Sequence, residues 1–170
     1  SARRPIKNVE YRRLNLVNRV ELCWIKSCKF DYVINLAGYV DHSFYSHESQ
    51  HIFDQHFNIT KNVIDSLDWT RLRKFINIGS SEEYGETNTP VDETAREAPK
   101  SLYSFSKVAS THFLQMLARE QNLPTTTLRL YLTYGPAQAE NRLIPQTIKS
   151  CLAGRSFETT TGHQLRDFCY

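Results

Sequence analysis

The chain has 170 residues, of which 40% are hydrophobic and 23% charged, and a formal net charge of +3. This length and this share of apolar residues suit one compact domain with a sizeable core. No stretch approaches the roughly 18 consecutive apolar residues of a membrane-spanning helix, and Lys and Arg alternate with Asp and Glu, so we expect neither a membrane nor a nucleic acid as a partner.

The first half of the chain contains four predicted elements. Residues 8–14 predict a short strand, and the apolar residues of 17–28 have helical spacing. Residues 31–37 form a β-branched apolar run that stops at Gly38, which is typical of a strand buried on both faces of a parallel sheet. Residues 46–67 then predict a long helix.

The alternation of strands and helices continues in the second half. Residues 74–78 repeat the strand pattern, 102–121 predict a helix, 125–131 a strand and 143–152 a further helix. This order predicts an α/β fold with a doubly wound parallel sheet of Rossmann-like type. Ligands of such sheets bind beyond the carboxyl ends of the strands, so the informative residues should follow the strands.

Ser80 follows one of these strands, and Tyr103 and Lys107 lie near the start of the next helix. A Tyr-x-x-x-Lys pair is a weak signal alone, and a serine after a strand is usually a turn or helix cap. Together they are more specific, because a spacing of four puts Tyr103 and Lys107 on one helix face, opening to the same crevice as Ser80.

This constellation suits the oxidation of an alcohol, which releases a hydride and a proton. The phenol of tyrosine has a pKa of about 10 and is a poor base at neutral pH. The ammonium of Lys107 would favour the phenolate of Tyr103, and the hydroxyl of Ser80 would donate to the developing alkoxide.

Several motifs in order carry a family resemblance: Leu-Ala-Gly after a strand, Gly-Ser-Ser-x-x-Tyr-Gly, Tyr-x-x-x-Lys, Leu-Arg-x-x-x-x-Tyr-Gly-Pro and Arg-Asp-Phe-x-Tyr. Their order resembles the NAD-dependent epimerase/dehydratase branch of the extended short-chain dehydrogenases. The resemblance implies a nucleotide-sugar substrate, NAD or NADP as cofactor, and a homodimer at full length. It also implies a partial cofactor domain over residues 1–135 and the start of a substrate region over 136–170.

The resemblance assigns roles residue by residue. It implies that four residues are catalytic: Ser80, Glu82, Tyr103 and Lys107. It implies that eight contact the cofactor: Leu36, Ala37, Gly38, Asn58, Ile78, Tyr103, Lys107 and Tyr131. It implies that seven contact the substrate: Ser80, Ser81, Leu132, Asn141, Arg142, Leu143 and Arg166. Of these, Arg166 would bind a diphosphate.

The sequence also departs from the family pattern. No glycine precedes Gly38, so the glycine-rich loop that cradles a pyrophosphate is missing, and Asn15 stands where an Asp usually touches adenine. Leu132 stands where an Asn often contacts the substrate. We therefore expect a fold that lacks the first strand, glycine loop and helix and most of the C-terminal substrate lobe.

The loop after the predicted strand 74–78 leaves the reaction open. Ser80-x-Glu82 resembles nucleotide-sugar 4,6-dehydratases, whereas Gly-Ser-Ser-Glu-Glu-Tyr-Gly also resembles 4-keto-6-deoxy-sugar reductases, and an epimerase remains possible. Glu82 and Glu83 could equally be solvated loop acids. The common prediction is transient or net hydride transfer at sugar C4.

Two rival interpretations remain. His47-Glu48-x-x-His51 has the spacing of a zinc metallopeptidase motif, with a third ligand to come from His56, Asp65 or Asp68. We favour surface histidines and no metal, because that segment is where a crossover helix begins. The other rival is a non-catalytic remnant of the dehydrogenase fold.

The four cysteines show neither C-x-x-C spacing nor the density of a disulfide framework. We therefore expect reduced thiols and a cytoplasmic protein.

Overall fold

The computed structural model describes residues 6–38, 45–46, 49–87 and 90–170. The chain divides into two compact units, Ser1–Leu128 and Arg129–Tyr170. No helix of the described residues is long and apolar enough to cross a membrane.

The first unit is built on a sheet whose strands follow the order β1-β2-β3. These strands are β1 Tyr32–Asn35, β2 Lys74–Ser80 and β3 Thr125–Leu130, the last of which extends to the start of the second unit. β1 and β2 are parallel and in register from Tyr32 opposite Lys74 to Asn35 opposite Asn77. The predicted α/β fold with a parallel sheet is therefore confirmed.

The described residues of the first unit form four α-helices: α1 Cys23–Ser27, α2 Gln50–Phe53, α3 Ile59–Ser66 and α4 Leu102–Gln121. A π-helical turn, Asp54–Asn58, joins α2 to α3, so the predicted long helix exists but is not a uniform α-helix. α4 has the predicted bounds because Ser101 caps its first turn and Asn122 ends it in the left-handed conformation.

The core of this unit is apolar and lies between the sheet and the helices α3 and α4. Its buried members are Ile59, Val63, Ile64, Leu72, Phe75, Leu114, Leu117 and Leu123. In β1 the alternate side chains Tyr32 and Ile34 are exposed. That strand is therefore covered on one face only, whereas the sequence pattern predicts burial on both.

The start of the chain differs from its prediction. Within the described segment 6–38, residues 8–14 form no strand, and only α1 remains of the predicted helix over 17–28. Asn8 has a φ of 65°, and the side-chain oxygens of Asn15 and Asn18 accept hydrogen bonds from the backbone nitrogens of Val17 and Val20. Such local asparagine bonds compete with regular helix and strand hydrogen bonding and replace it here with turns.

The second unit contains one helix and a short parallel strand pair. α5 is Leu143–Leu152, as predicted, and β4 Leu132–Thr133 pairs with β5 Phe168–Cys169. The ring of Tyr134 packs edge-on against Phe168 and Tyr170. These aromatic contacts hold the end of the chain beside the segment that follows β4.

Candidate active site

Ser80 is the last residue of β2 and caps a short 3-10 turn, Ser81–Tyr84. Its Oγ accepts a hydrogen bond from the backbone nitrogen of Glu82 at 3.2 Å, and its own backbone nitrogen donates to Oε1 of Glu83 at 2.9 Å. This reciprocal pair is a capping box. The hydroxyl of Ser80 is therefore held at the carboxyl end of the strand, the edge at which ligands of parallel sheets bind.

The turn closes at Gly85, which has a φ of 69°. A β-carbon at this position would lie 2.0 Å from the carbonyl oxygen of Ala98. Any other residue would collide with that backbone, so the Tyr-Gly end of the motif is a packing requirement.

The two glutamates of the turn have different environments. Glu82 is half-buried, whereas Glu83 is 0% exposed and accepts hydrogen bonds from Ser80 and, through Oε2, from Oγ1 of Thr111 at 2.9 Å. The interpretation of both as solvated loop acids is therefore wrong for Glu83. Hydrogen bonds from a strand end and a helix satisfy its carboxylate.

Lys107 lies on α4, and its ammonium reaches β2. Its Nζ donates to the carbonyl oxygen of Ile78 at 2.9 Å and lies 5.9 Å from the centroid of the Tyr103 ring. Because Ile78 and Ser80 are two residues apart on one strand, their side chains point to the same face. Tyr103, Lys107 and Ser80 are each less than 10% exposed, and the Lys107 ammonium joins α4 to β2 two residues before Ser80.

Burial and charge act on Lys107 in opposite directions. Burial lowers its pKa below the ordinary value of 10.5, and the negative charge of Glu83 partly opposes that shift. A cation here is thus costly by itself and depends on a nearby carboxylate.

His56, in the π-helical turn, is a contact of Tyr103 that sequence reasoning missed. Its ring lies edge-on to that of Tyr103, with centroids 5.0 Å apart, and it is buried. Asn58 donates from Nδ2 to Asp54 within the same turn, and its place near the nicotinamide stays a prediction. The π-helical turn changes which side chain of this segment faces α4. The spacing of apolar residues in the sequence does not reveal that a π turn is present.

Three of the predicted cofactor contacts follow β1. Leu36 and Gly38 are exposed, and the backbone nitrogen of Ala37 donates to Oδ1 of Asn35 at 3.2 Å. Gly38 has a φ of +126° and packs on the imidazole of His56. The loop after β1 therefore lies over the turn that contacts Tyr103.

Asn35 also begins a buried polar network. Its Nδ2 donates at 3.0 Å to Oδ1 of Asn77 and to Oγ1 of Thr60, which in turn donates to the carbonyl oxygen of His56. The two asparagines are register partners on β1 and β2. In the sequence, each apolar strand run contains one asparagine, which indicates a buried polar group. That the two asparagines pair with each other follows only from the register of the strands.

The remaining predicted residues belong to the second unit. Tyr131, Leu132, Asn141, Leu143 and Arg166 have exposed side chains there. Arg142 precedes α5, and its carbonyl oxygen accepts from the backbone nitrogen of Gln146. Their roles in binding a nucleotide sugar or, for Tyr131, a cofactor stay predictions.

The zinc motif is only partly within the described residues. His47 and Glu48 lie outside them, and His51 is exposed. Among the residues that are described, no group of three or more His, Cys, Asp or Glu could hold a metal ion.

The chain is similar to known proteins in both sequence and structure. The chain is 28% identical over 157 residues to dTDP-D-glucose 4,6-dehydratase of Dictyostelium discoideum, covering 84% of the chain and 36% of that protein. It is 34% identical over 101 residues to dTDP-glucose 4,6-dehydratase of Neisseria gonorrhoeae, covering 57% of the chain and 29% of the relative. The chain thus spans about a third of these curated relatives.

Solved structures extend the likeness. UDP-N-acetylglucosamine 4-epimerase from Methanobrevibacter ruminantium superposes with a TM-score of 0.78 at 28% identity, over 88% of the chain and 50% of the epimerase. UDP-glucuronic acid 4-epimerase from Bacillus cereus, solved with UDP-glucuronic acid and NAD, gives 0.78 at 25% identity, over 92% and 50%. The model of the NAD dependent epimerase/dehydratase family matches residues 2–170, and the chain therefore belongs to that family.

Proposed function

We propose that this chain forms the catalytic part of an enzyme that modifies a nucleotide sugar with NAD or NADP, through hydride transfer at sugar C4. The observation that carries the proposal is the hydrogen bond from Lys107 Nζ to the Ile78 carbonyl, beside Tyr103 and two residues before Ser80. The names of the relatives support position 4, because they are 4,6-dehydratases and 4-epimerases. The activity of the whole protein is proposed, since the chain spans at most half of these relatives.

Tyr103 would act as the general base or acid at the C4 hydroxyl. Its phenol lies on the helix face that carries the Lys107 ammonium, and a cation stabilises the phenolate over the phenol. The hydroxyl of Ser80 would donate to the same sugar oxygen as negative charge develops on it, which lowers the barrier as an oxyanion donor does. Because the three groups are buried, water competes little for these bonds.

The described residues fit the reactive part of the cofactor. NAD(P), when bound, accepts and returns the hydride. Lys107 could hold its ribose, and Ala37 and Gly38 form a loop without bulky side chains at the carboxyl end of β1. No glycine precedes Gly38 in the sequence, so these 170 residues contain no glycine-rich loop for the pyrophosphate.

Glu82 favours dehydration as the first subtype to test. It follows Ser80 by two residues in the 3-10 turn and is half-buried, and a carboxylate at this place would serve as the base for a proton beside a C4 ketone. An epimerase or a 4-keto reductase would not require this base. Solvent deuterium at C5 of the sugar therefore distinguishes dehydration from the other two reactions.

The decisive experiment uses a protein of full family length that contains these residues. It is incubated with NAD or NADP and with UDP-, dTDP-, GDP- and CDP-sugars, and products are read by mass spectrometry. We expect turnover of at least one nucleotide sugar by a homodimer. A protein that binds both ligands without turnover would favour the non-catalytic remnant, and one that binds neither would contradict the proposal.

A further inference from the structure

Glu83 is a buried carboxylate that the proposed reaction does not use. It is 0% exposed, and its two oxygens accept hydrogen bonds of 2.9 Å from the backbone nitrogen of Ser80 and from Oγ1 of Thr111. A carboxylate without contact to water is costly unless hydrogen bonds and positive charge compensate it. Its burial therefore requires a reason beyond capping a turn.

The two hydrogen-bond donors come from different elements. Ser80 ends β2, and Thr111 lies on α4 one helical turn after Lys107. Residues four apart share a helix face, so Thr111 and Lys107 point to the same side of α4. The carboxylate of Glu83 is thus fixed between the strand end that carries Ser80 and the helix face that carries Lys107.

Among the described residues, titratable groups near Lys107 or its neighbour Tyr103 lie on three elements. Glu83 belongs to the 3-10 turn, Tyr103 to α4, and His56 to the π-helical turn that contacts the Tyr103 ring. β2 contributes the neutral carbonyl of Ile78. Burial lowers the pKa of Lys107, and the Glu83 charge raises it, so Glu83 is the group that favours the ammonium.

We propose that Glu83 is a positioning residue that holds Ser80 in place relative to Tyr103 and Lys107 and supplies the negative charge that compensates the buried ammonium. The inference rests on the proposed function, because it assigns Glu83 a task in the same reaction. Glu83 acts through Ser80 and Lys107 and does not itself touch the sugar.

The test compares Glu83→Gln with Glu97→Gln in the full-length protein. Glutamine keeps the shape of the side chain but removes its charge. Glu97 is a matched control, because its half-buried carboxylate pairs with His112 on α4 rather than acting on Lys107. We expect Glu83→Gln to lower the ratio of turnover at pH 9 to turnover at pH 7 by about threefold or more, since the ammonium is lost at a lower pH.

Glu97→Gln should leave this ratio unchanged, and Glu83→Asp, which keeps the charge, should restore most of it. A merely structural role would lower turnover equally at both pH values. A folded Glu83→Gln protein with the wild-type pH profile, or an equal shift in both glutamine variants, would overturn the inference.

A second measurement does not depend on turnover. Lysine-selective NMR titration, with the Lys107 signal assigned by its loss in Lys107→Met, should show deprotonation at a lower pH in Glu83→Gln than in wild type. If Glu83→Gln does not fold, the Glu83 carboxyl carbon of the wild-type protein should shift as Lys107 titrates, and a carbon that does not respond contradicts the inference. Absence of turnover in wild type would refute the proposed function, while the titration still decides whether the charge of Glu83 favours the Lys107 ammonium.

Discussion

Gly38 lies so close to His56 that a β-carbon at position 38 would be 2.5 Å from the imidazole. Its φ of +126° is also one that L side chains rarely adopt. We expect Gly38→Ala to destabilise the fold by about 2 kcal/mol or more, because strain and overlap add. Urea unfolding measures the change, with Gly135→Ala as control, since nothing lies within 4 Å of a β-carbon there. Equal effects of the two substitutions would contradict the packing described.

Tyr103→Phe should lower turnover of a full-length enzyme by about a hundredfold or more, the range for loss of a general acid or base. Affinity for the nucleotide sugar should change little, because the phenol acts mainly in the transition state. Ser80→Ala should have a smaller effect, since it removes a donor but no proton acceptor. Steady-state kinetics and calorimetry measure both quantities. Full turnover in Tyr103→Phe would remove Tyr103 from the mechanism.

Lys107 should make stability depend on pH in the alkaline range. Burial lowers its folded-state pKa below the ordinary 10.5, so between the two values the unfolded chain binds more protons than the folded one. Stability from this group therefore increases as pH rises through that window and is lowest below it. Denaturant unfolding should show that increase in wild type relative to Lys107→Met. Parallel pH curves for the two proteins would show that Lys107 is not the source.

Asn35 and Asn77 should behave as a coupled pair. Asn35→Leu leaves buried polar atoms of Asn77 and Thr60 and the part-buried backbone nitrogen of Ala37 without this partner, and should cost about 2–3 kcal/mol. The double variant Asn35→Leu/Asn77→Leu should lose less than the sum of the single variants, because fewer polar groups remain unpaired. A double-mutant cycle in urea measures the coupling. Additive losses would mean that the two amides act independently.

The 170-residue chain should bind NAD(H) or NADP(H) weakly or not at all, because no glycine precedes Gly38 and the pyrophosphate lacks a glycine-rich loop. Adding an upstream strand, glycine loop and helix from a relative should restore binding. Calorimetric titration of both proteins tests this. Micromolar affinity of the 170-residue chain for NAD(H) or NADP(H) would mean that the cofactor site has been assigned to the wrong residues.

Sequence periodicity predicted the strongly patterned elements well. α4 and α5 have their predicted bounds, and β1 and β2 lie where the apolar runs predict them. These segments have many apolar residues at one spacing, so local pattern and tertiary packing agree. Residues 8–14 were predicted wrongly because so short a run carries little periodic signal. Just after it, the side chains of Asn15 and Asn18 bond to the local backbone and favour turns.

The positions of the candidate site's side chains were predictable where they follow from spacing along a helix, and not where they follow from strand register or helical phase. Tyr103 and Lys107 share a face because they are four residues apart. The burial of Glu83 depends on a hydrogen bond to Thr111, which is 28 residues away in the chain. The contact of His56 with Tyr103 depends on a π-helical turn, which leaves no mark in the apolar pattern.

The π-helical turn Asp54–Asn58 also constrains how this segment can change length in evolution. A π turn accommodates one residue more than an α-helical turn, so losing one residue between α2 and α3 would leave an unbroken α-helix. That deletion would rotate α2 relative to α3 about the helix axis by about 100°. Either His56 would then leave Tyr103 or Thr60 would leave Asn35, although hydrophobicity and helix propensity would hardly change. Homologues with a one-residue gap here should therefore carry compensating substitutions at the partners of these two contacts, and alignments that ignore the gap will assign the wrong residue to the site.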